Sequence, residues 1–379
     1  MPKKMLGTNV FDEALMRMIK VYEEGHRVVV SFSGGKDSGI CLELCILAAQ
    51  ATGNLPVDVV MRDEEIMLPG TFEYSERMYH RPEVNFKWAY ACQPICNVFN
   101  RENPYWWVFD PDLPPEAWVR QPPPFAERIP ELNIAGLVNP KTHPPAEGKD
   151  LCIVIGLRVD ESRNRYMGLF SSKGYLTRRS KDGVRHCRPI YDWRDGDVWK
   201  AIKDNGWDYN RSYDTMVRLG IPRNRLRIAP PTMNMYGIEQ LQKAAQAWPE
   251  WFDRVAERCP GARSAVHYGK RSCQPLRRHG ETWEACFKRT CIENAPDWIA
   301  ERSTKIMETT LARHRTHAAS PFPEVKPCYM CTEMVGSWSR MAAVMYSGDP
   351  FSVKVKLPYM EPEFFKKGSG TWGGTPQWA

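Results

Sequence analysis

Ser31-Phe32-Ser33-Gly34-Gly35-Lys36-Asp37-Ser38 follows the apolar run Val28-Val29-Val30 and precedes an apolar stretch from Ile40 to Ala49. The order reads as a buried strand, a glycine turn and the first turn of a buried helix. Two glycines let the backbone bend tightly and turn several N–H groups toward one point, where the helix N-terminus adds partial positive charge. Lys36 supplies a mobile cation, and Ser31, Ser33 and Ser38 supply hydroxyls. Such a cradle suits pyrophosphate or sulfate. It differs from the common phosphate loop, which needs a glycine where Val30 stands and Ser or Thr where Asp37 stands.

Outward from this loop, residues 8 to 92 alternate helix and strand. Phe11, Leu15, Met18, Ile19 and Tyr22 recur at helical spacing, as for a helix covering a sheet. Arg27 to Ser31, Val57 to Met61 and Val84 to Tyr90 read as strands, and Leu151 to Leu157 is a continuous apolar run fit for a central parallel strand. The alternation predicts an α/β fold with a doubly wound, mostly parallel sheet, whose ligands bind beyond the carboxyl ends of the strands. That rim would carry the first loop, Arg62-Asp63-Glu64-Glu65, and the run Arg158 to Arg165, in which Arg158, Arg163 and Arg165 alternate with carboxylates. Forked guanidinium contacts there would hold a dense anion rigidly. Lys181-Asp182-Gly183 marks a hairpin turn between Tyr175–Arg179 and Val184–Ile190, with Arg178, Arg179, Arg185 and Arg188 adding positive charge.

Residues 93 to 149 break the alternation, with twelve of the chain's 31 prolines. Proline blocks helix interiors and central strands, so an irregular excursion is expected, used for recognition, wrapped over the sheet or disordered. Trp106 and Trp107 within it offer faces for base stacking. From about Thr232 the chain turns helical. The expected organisation is a nucleotide-binding domain over 1–231 with the 93–149 insert, followed by a smaller, mainly helical, Cys-rich domain over 232–379.

The 379 residues are 42% hydrophobic, enough for a large core, and no stretch reaches the ~20 uninterrupted apolar residues of a membrane span. The opening Met-Pro-Lys-Lys-Met lacks the apolar core of a signal peptide, and twelve cysteines without export signals point to a reducing compartment, hence a cytoplasmic protein. A net charge of +7 fits an anionic partner, a small molecule or a nucleic acid, and the lack of a long apolar stretch predicts no membrane partner. Arg263 to Arg289 is dense in basic residues and reads either as a nucleic-acid surface or as a solvated helical face.

Cys328-Tyr329-Met330-Cys331 has metal-knuckle spacing. Cys286 and Cys291 are the expected second pair, although five residues apart on a helix they point ~140° from one another, so Cys273 is a substitute. An iron–sulfur cluster, a structural Zn2+ and plain thiols all remain open for this set. His267, His279, His314 and His317 read as surface histidines.

The loop resembles the PP-loop signature of ATP pyrophosphatases and phosphoadenosine phosphosulfate (PAPS) reductases. Gly156-Leu157-Arg158-Val159-Asp160-Glu161-Ser162 with Arg165 is similar to that superfamily's Gly-x-Arg-x-Asp-Glu-Ser-x-x-Arg element. Pro189-Ile190-Tyr191-Asp192-Trp193, Asp197-Val198-Trp199, and Tyr209-Asn210 with Tyr213-Asp214 are similar to later elements. Together they cover about residues 26 to 222, and the long insert and C-terminal extension look most like the immunoglobulin-binding-regulator A-like branch. The resemblance implies an adenine nucleotide α-hydrolase-like sheet and a site built from Ser31, Phe32, Ser33, Gly34, Gly35, Lys36, Asp37, Ser38, Asp63, Glu64 and Gly156. Lys36, Ser38, Arg158, Asp160 and Arg165 would be catalytic.

A reductase of this superfamily carries a C-terminal Glu-Cys-Gly-Leu-His nucleophile. Here the last cysteine is Cys331 and the sequence closes with Thr371 to Ala379. The expected chemistry is therefore attack on the α-phosphate of ATP, adenylylation of an acceptor and release of pyrophosphate, in sulfur or nucleic-acid modification. Mg2+ would be held by Asp37, Asp63 or Glu64. An iron–sulfur cluster would donate electrons or sulfur, with a partner protein supplying sulfur or DNA contacts. The alternatives are PAPS or adenylylsulfate reductase or sulfotransferase-type chemistry, with PAPS in place of ATP, and a non-catalytic nucleotide-sensing or nucleic-acid-binding module.

Overall fold

Val28, Val29 and Val30 form the centre of β1 (Arg27–Phe32), which is paired in parallel on both sides. A strand hydrogen-bonded on both edges and covered on both faces has no polar side, which explains its unbroken apolar run. In the computed structural model the described residues are 7–129, 137–172, 174–223, 226–228, 233, 237–331, 334–350 and 352–357, excepting the side chains of 163, 164 and 170–172. The expected closing segment Thr371–Ala379, the start of the helical region at Thr232 and the side chain of Arg163 lie outside them.

The chain divides into two compact units, one made of residues 1–91 and 120–230, the other of 92–119 and 231–379. In the first unit, α1 (Val10–Glu23) precedes β1, and α2 (Lys36–Thr52) follows it. β2 (Val57–Asp63), α3 (Pro69–Tyr79) and β3 (Val84–Tyr90) come next. β4 (Gln93–Cys96) and β5 (Tyr105–Val108) belong to the second unit. β6 (Glu127–Arg128), β7 (Leu151–Val154) and β8 (Val184–Cys187) complete a six-stranded parallel sheet in the order β6-β3-β2-β1-β7-β8. The fold is α/β, as expected, with a mainly helical second unit. The expected hairpin forms: Leu176 bridges Cys187 in antiparallel register, the Thr177 amide donates to the His186 carbonyl at 3.0 Å, and the turn between them has Gly183 at φ +76°.

The period-two alternation of the strands sorts their side chains onto two faces. Val28, Val30 and Phe32, with Val59, Met61, Cys152 and Val154, face the larger core under α1 and α2. Val29, Val60, Ala89, Leu151 and Ile153 face the other side, where Leu137 and Val138 cover them. Because α2 is boxed in, it is buried almost all round from Ile40 to Ala49 and lacks the one-sided pattern of a surface helix. Gly39 is required there: a Cβ would lie 2.5 Å from the Tyr74 hydroxyl on α3. Among the described residues no helix is long and apolar enough to cross a membrane.

The Pro-rich insert is not irregular throughout. Its first part pairs β4 with β5 in antiparallel register, Gln93 opposite Val108 and Cys96 opposite Tyr105. Trp106 and Trp107 are buried in this hairpin, so neither is an exposed stacking platform. Arg101 donates to the carbonyls of Thr290 (2.6 Å) and Tyr346 (2.9 Å), and Trp298 Nε1–H donates to the Arg101 carbonyl at 2.9 Å. A Cβ at Gly261 would lie 2.7 Å from Phe99. These contacts explain why 92–119 folds with the C-terminal helices. Residues 120–129, by contrast, return to the sheet as β6.

Arg120 secures that return. Its guanidinium bonds Asp63 Oδ1 and lies over the Phe72 ring at 4.7 Å. Asp63 is fully buried at the end of β2, and its other partners are Trp88 Nε1–H (2.8 Å) and the Glu65 amide (3.0 Å). Removing the cation would strand a buried carboxylate. Arg120→Ala should therefore lower stability by about 3–5 kcal/mol, read as an earlier midpoint in urea unfolding; an unchanged midpoint would refute the anchoring role.

Candidate functional site

The loop after β1 turns on Gly34, at φ +69°, where a Cβ would strike the Thr71 methyl at 2.6 Å. Only glycine meets both demands. Asn210 Nδ2 fixes the turn from outside by donating to the Gly34 carbonyl and to Thr71 Oγ1, both at 2.8 Å. Ser38 Oγ fixes it from inside: it donates to the Gly35 carbonyl at 3.0 Å and accepts the Ser33 amide at 3.2 Å. The Lys36 amide donates to the Tyr213 hydroxyl at 3.0 Å. Gly35 is the N-cap of α2 and offers no side-chain cap, so beyond the Lys36 amide taken by Tyr213 the first turn still presents amides suited to an anion.

β1 has β2 on one side and β7 on the other, so the chain departs in opposite directions from neighbouring strands. That is the switch point at which open parallel sheets bind ligands. Beyond β7, Gly156 lies directly on the first turn of α2; a Cβ there would come within 2.7–2.8 Å of the Asp37 carbonyl and the Ser38 amide. This contact delivers Arg158 to the loop. Arg158 Nε donates to Asp37 Oδ1 at 2.6 Å, and its Nη2 lies 3.5 Å from Asp195 Oδ1. Lys36 Nζ meets the same two carboxylates, at 3.2 Å and 3.4 Å, and donates to the Leu226 carbonyl at 3.2 Å. Lys36 and Arg158 are 3% and 4% exposed. Two nearly buried cations are thus balanced by two carboxylates at the mouth of an uncapped helix.

The other expected site residues divide. Arg165 is on the rim but pairs with Glu161, which also lies 3.8 Å from Arg158. Asp160 is exposed on the same turn. Ser31, Phe32 and Ser33 line a cavity of about 170 Å³ beside the loop, with Arg62, Glu64 and an apolar wall that includes Val60, Met67, Leu68, Leu137 and Ile153. Glu64 is held by Arg62 at 2.5 Å. Asp63 departs from expectation: both its oxygens are committed to Trp88, Glu65 and Arg120, and none is left for a metal. Arg179 and Arg185 both bind Asp150 at the amino end of β7, the edge opposite the loop, so they are structural. Asp192 pairs with Arg17 of α1 at 2.7 Å.

Asp195, Asn210, Thr71 and Tyr213 enter the site from elements distant in sequence. Tyr213 and Asn210 lie in a motif the sequence exposes, but Asp195 carries no local signal. Burial raises the Tyr213 hydroxyl well above its ordinary range, so it stays a neutral hydrogen-bonding group.

The expected cysteine quartet does not assemble. Cys286 lies beside Arg289, at 3.9 Å, and Cys291 beside Thr290 Oγ1 (3.5 Å) and the Ala342 carbonyl (3.7 Å). Cys273 sits against the Lys270 carbonyl at 3.6 Å. Burial raises all three thiols, Cys291 to about 11, which disfavours the thiolate that a metal needs. Instead Cys328 and Cys331 meet His314 and His317, all four ligand atoms lying within 4.8 Å of one another. His314, expected at the surface, is buried.

No family model matches the chain. It is 28% identical over 374 residues to the uncharacterized protein YbdN of Escherichia coli (strain K12), covering 91% of this chain and 89% of that protein. Among solved structures it is similar to Candida glabrata FMN adenylyltransferase in complex with ATP, at 12% identity and a TM-score of 0.34 over 54% of this chain. The match spans 57% of that enzyme. Yeast FAD synthetase in complex with FAD gives 13% identity and a TM-score of 0.33, over 56% of this chain and 65% of that one. PAPS reductase from Candida auris, in its phosphate complex, gives 12% identity and a TM-score of 0.29, over 60% and 98%. Likeness of this size says nothing about the reaction of this chain.

Gly156 provides a direct check on the switch-point site. Gly156→Ala should push β7's exit away from α2 and separate Arg158 from Asp37. Thermal unfolding of the wild type should shift upward with Mg-ATP, and the variant should lose that shift; an equal shift in both would mean the contact does not build the site.

Proposed function

We propose that this chain is a PAPS reductase-like PP-loop enzyme that binds ATP and transfers its adenylyl group to an acceptor. The observation that carries the reading is the convergence of Lys36 and Arg158 on the uncapped first turn of α2, beside a cavity with an apolar wall. The apolar wall suits a planar base, and the loop suits the phosphates. The long insert and C-terminal extension favour the immunoglobulin-binding-regulator A-like branch.

The step follows from the charges. A nucleophilic atom of the acceptor forms a bond to the α-phosphorus, and the bond from phosphorus to the α,β-bridging oxygen breaks. The bonding pair leaves with pyrophosphate. Negative charge grows on the non-bridging and departing oxygens, where fixed amides, Lys36 and Arg158 need no reorganisation to stabilise it. Asp37 and Asp195 neutralise the two cations before the nucleotide arrives, and phosphate oxygens replace them on binding. Those carboxylates are hard oxygen donors at the loop's mouth and fit a magnesium ion, whereas Asp63 does not. Bound there, magnesium would add charge neutralisation on the departing pyrophosphate. Asp160, exposed on the rim turn after β7, is the carboxylate assigned to take the acceptor's proton. The net charge of +7 favours an anionic acceptor, a small molecule or a nucleic acid.

With Mg-ATP and a competent acceptor, the products should be pyrophosphate and one AMP equivalent, on the acceptor or freed from it. Lys36→Ala and Ser38→Ala should each raise the barrier by about 2–4 kcal/mol while the protein remains folded under assay conditions, as read by circular dichroism. ADP with orthophosphate would contradict attack at the α-phosphate. Sulfite formed from PAPS with a thiol donor would establish the reductase alternative instead.

A further inference from the structure

Away from the loop, in the second unit, the last turn of the helix Asp297–Arg315 carries His314, and His317 follows just beyond its C-cap, Thr316. Cys328 and Cys331 lie on a tight turn in which the Cys331 amide donates to the Cys328 carbonyl at 3.2 Å. The Cys328 amide donates to the Gly336 carbonyl at 2.7 Å, which pins the turn from the far side. We propose that His314, His317, Cys328 and Cys331 bind a single zinc ion, a structural site that fastens the end of this helix to the Cys328–Cys331 turn.

The distances have the right size. Zinc–sulfur and zinc–nitrogen bonds of about 2.3 and 2.05 Å at tetrahedral angles set the sulfur-to-nitrogen edge at about 3.6 Å. The structure gives 3.6 Å from Cys328 Sγ to His317 Nε2, 3.5 Å from Cys331 Sγ to His317 Nε2, and 3.3 Å from Cys331 Sγ to His314 Nδ1. All four donors lie within 4.8 Å of one another, which suits one ion and is too tight for ligands spread around several irons.

His314 Nε2 lies 3.0 Å from the Ser320 carbonyl, so the proton resides on Nε2 and the Nδ1 lone pair points at the cluster. Two thiolates and two neutral imidazoles form a Cys2His2 set, which selects zinc by softness and geometry. The cation also sits at a helix C-terminus, where the macrodipole favours positive charge. In sequence the pattern is His-x2-His-x10-Cys-x2-Cys, a zinc-finger ligand set in reverse order. Binding would displace the thiol protons of Cys328 and Cys331 and close the segment from 314 to 331, making metal affinity part of folding stability.

The test uses the full chain. Purified protein should hold one zinc by elemental analysis. After chelation, Co2+ alone should restore one metal per chain, with the visible ligand-field absorption of a tetrahedral site bearing two thiolates. Cys328→Ser and His317→Ala should each weaken zinc binding by at least about tenfold, whereas Cys286→Ala and Cys291→Ala should leave it unchanged. Wild-type protein that takes up neither Zn2+ nor Co2+ at one per chain, or that holds iron with sulfide instead, would overturn the proposal. So would full zinc retention in a Cys328→Ser/His317→Ala double variant. Should the variants fail to fold, the cobalt spectrum of the wild type alone decides.

Discussion

Gly156 rests on the first turn of α2 so closely that no side chain fits between them. This contact sets the distance between the two strands that leave the switch point, and through it the reach of Arg158 toward Asp37. Val28 to Val30 and Leu151 to Val154 are held in register as neighbouring parallel strands, with Arg27 opposite Leu151 and Val30 opposite Val154. Their carboxyl ends therefore emerge side by side. The loop glycines, the buried α2 and the run after β7 answer one geometric demand: two backbones must meet at the switch point.

The same geometry forces an electrostatic arrangement. Lys36 and Arg158 are drawn out of water by the packing around α2, and unpaired buried cations would be costly. Asp37 and Asp195 balance them, at 2.6–3.5 Å. On the proposed reading, an incoming phosphate would exchange one set of negative oxygens for another and leave the cations paired throughout. Specificity for a dense anion would then arise from the number of donors already aimed at one point.

The strands, the loop and the rim arginine were legible because each is written in local spacing: period two, a glycine pair, a charged run after an apolar one. Partners that converge from afar were not. Asp195 sits in an ordinary acidic helix start, and only the packing of the helix Asp195–Asn205 against the site gives it a role. Asp63 looked like a rim carboxylate, but Trp88 and Arg120 claim it from β3 and the returning insert. The cysteines teach the same lesson. Cys328 and Cys331 were recognisable from their spacing, yet Cys291 packs into a separate hydrophobic cluster around Phe287 and Trp338 and Cys286 lies beside Arg289. His314 and His317 carried the overlooked signal, three residues apart at a helix end. The insert divides where Arg120 re-enters the sheet, a boundary set by one buried ion pair and invisible in composition.

The central claim is that the switch point between β1 and β7 is a nucleotide-phosphate site organised by Lys36 and Arg158. Calorimetric titration of the full chain with the non-hydrolysable ATP analogue AMPCPP and magnesium tests it most directly. One analogue should bind per chain, and Arg158→Ala should weaken binding by at least about tenfold, roughly 1.4 kcal/mol. No binding by the wild type, or equal binding by a folded variant, would contradict the account.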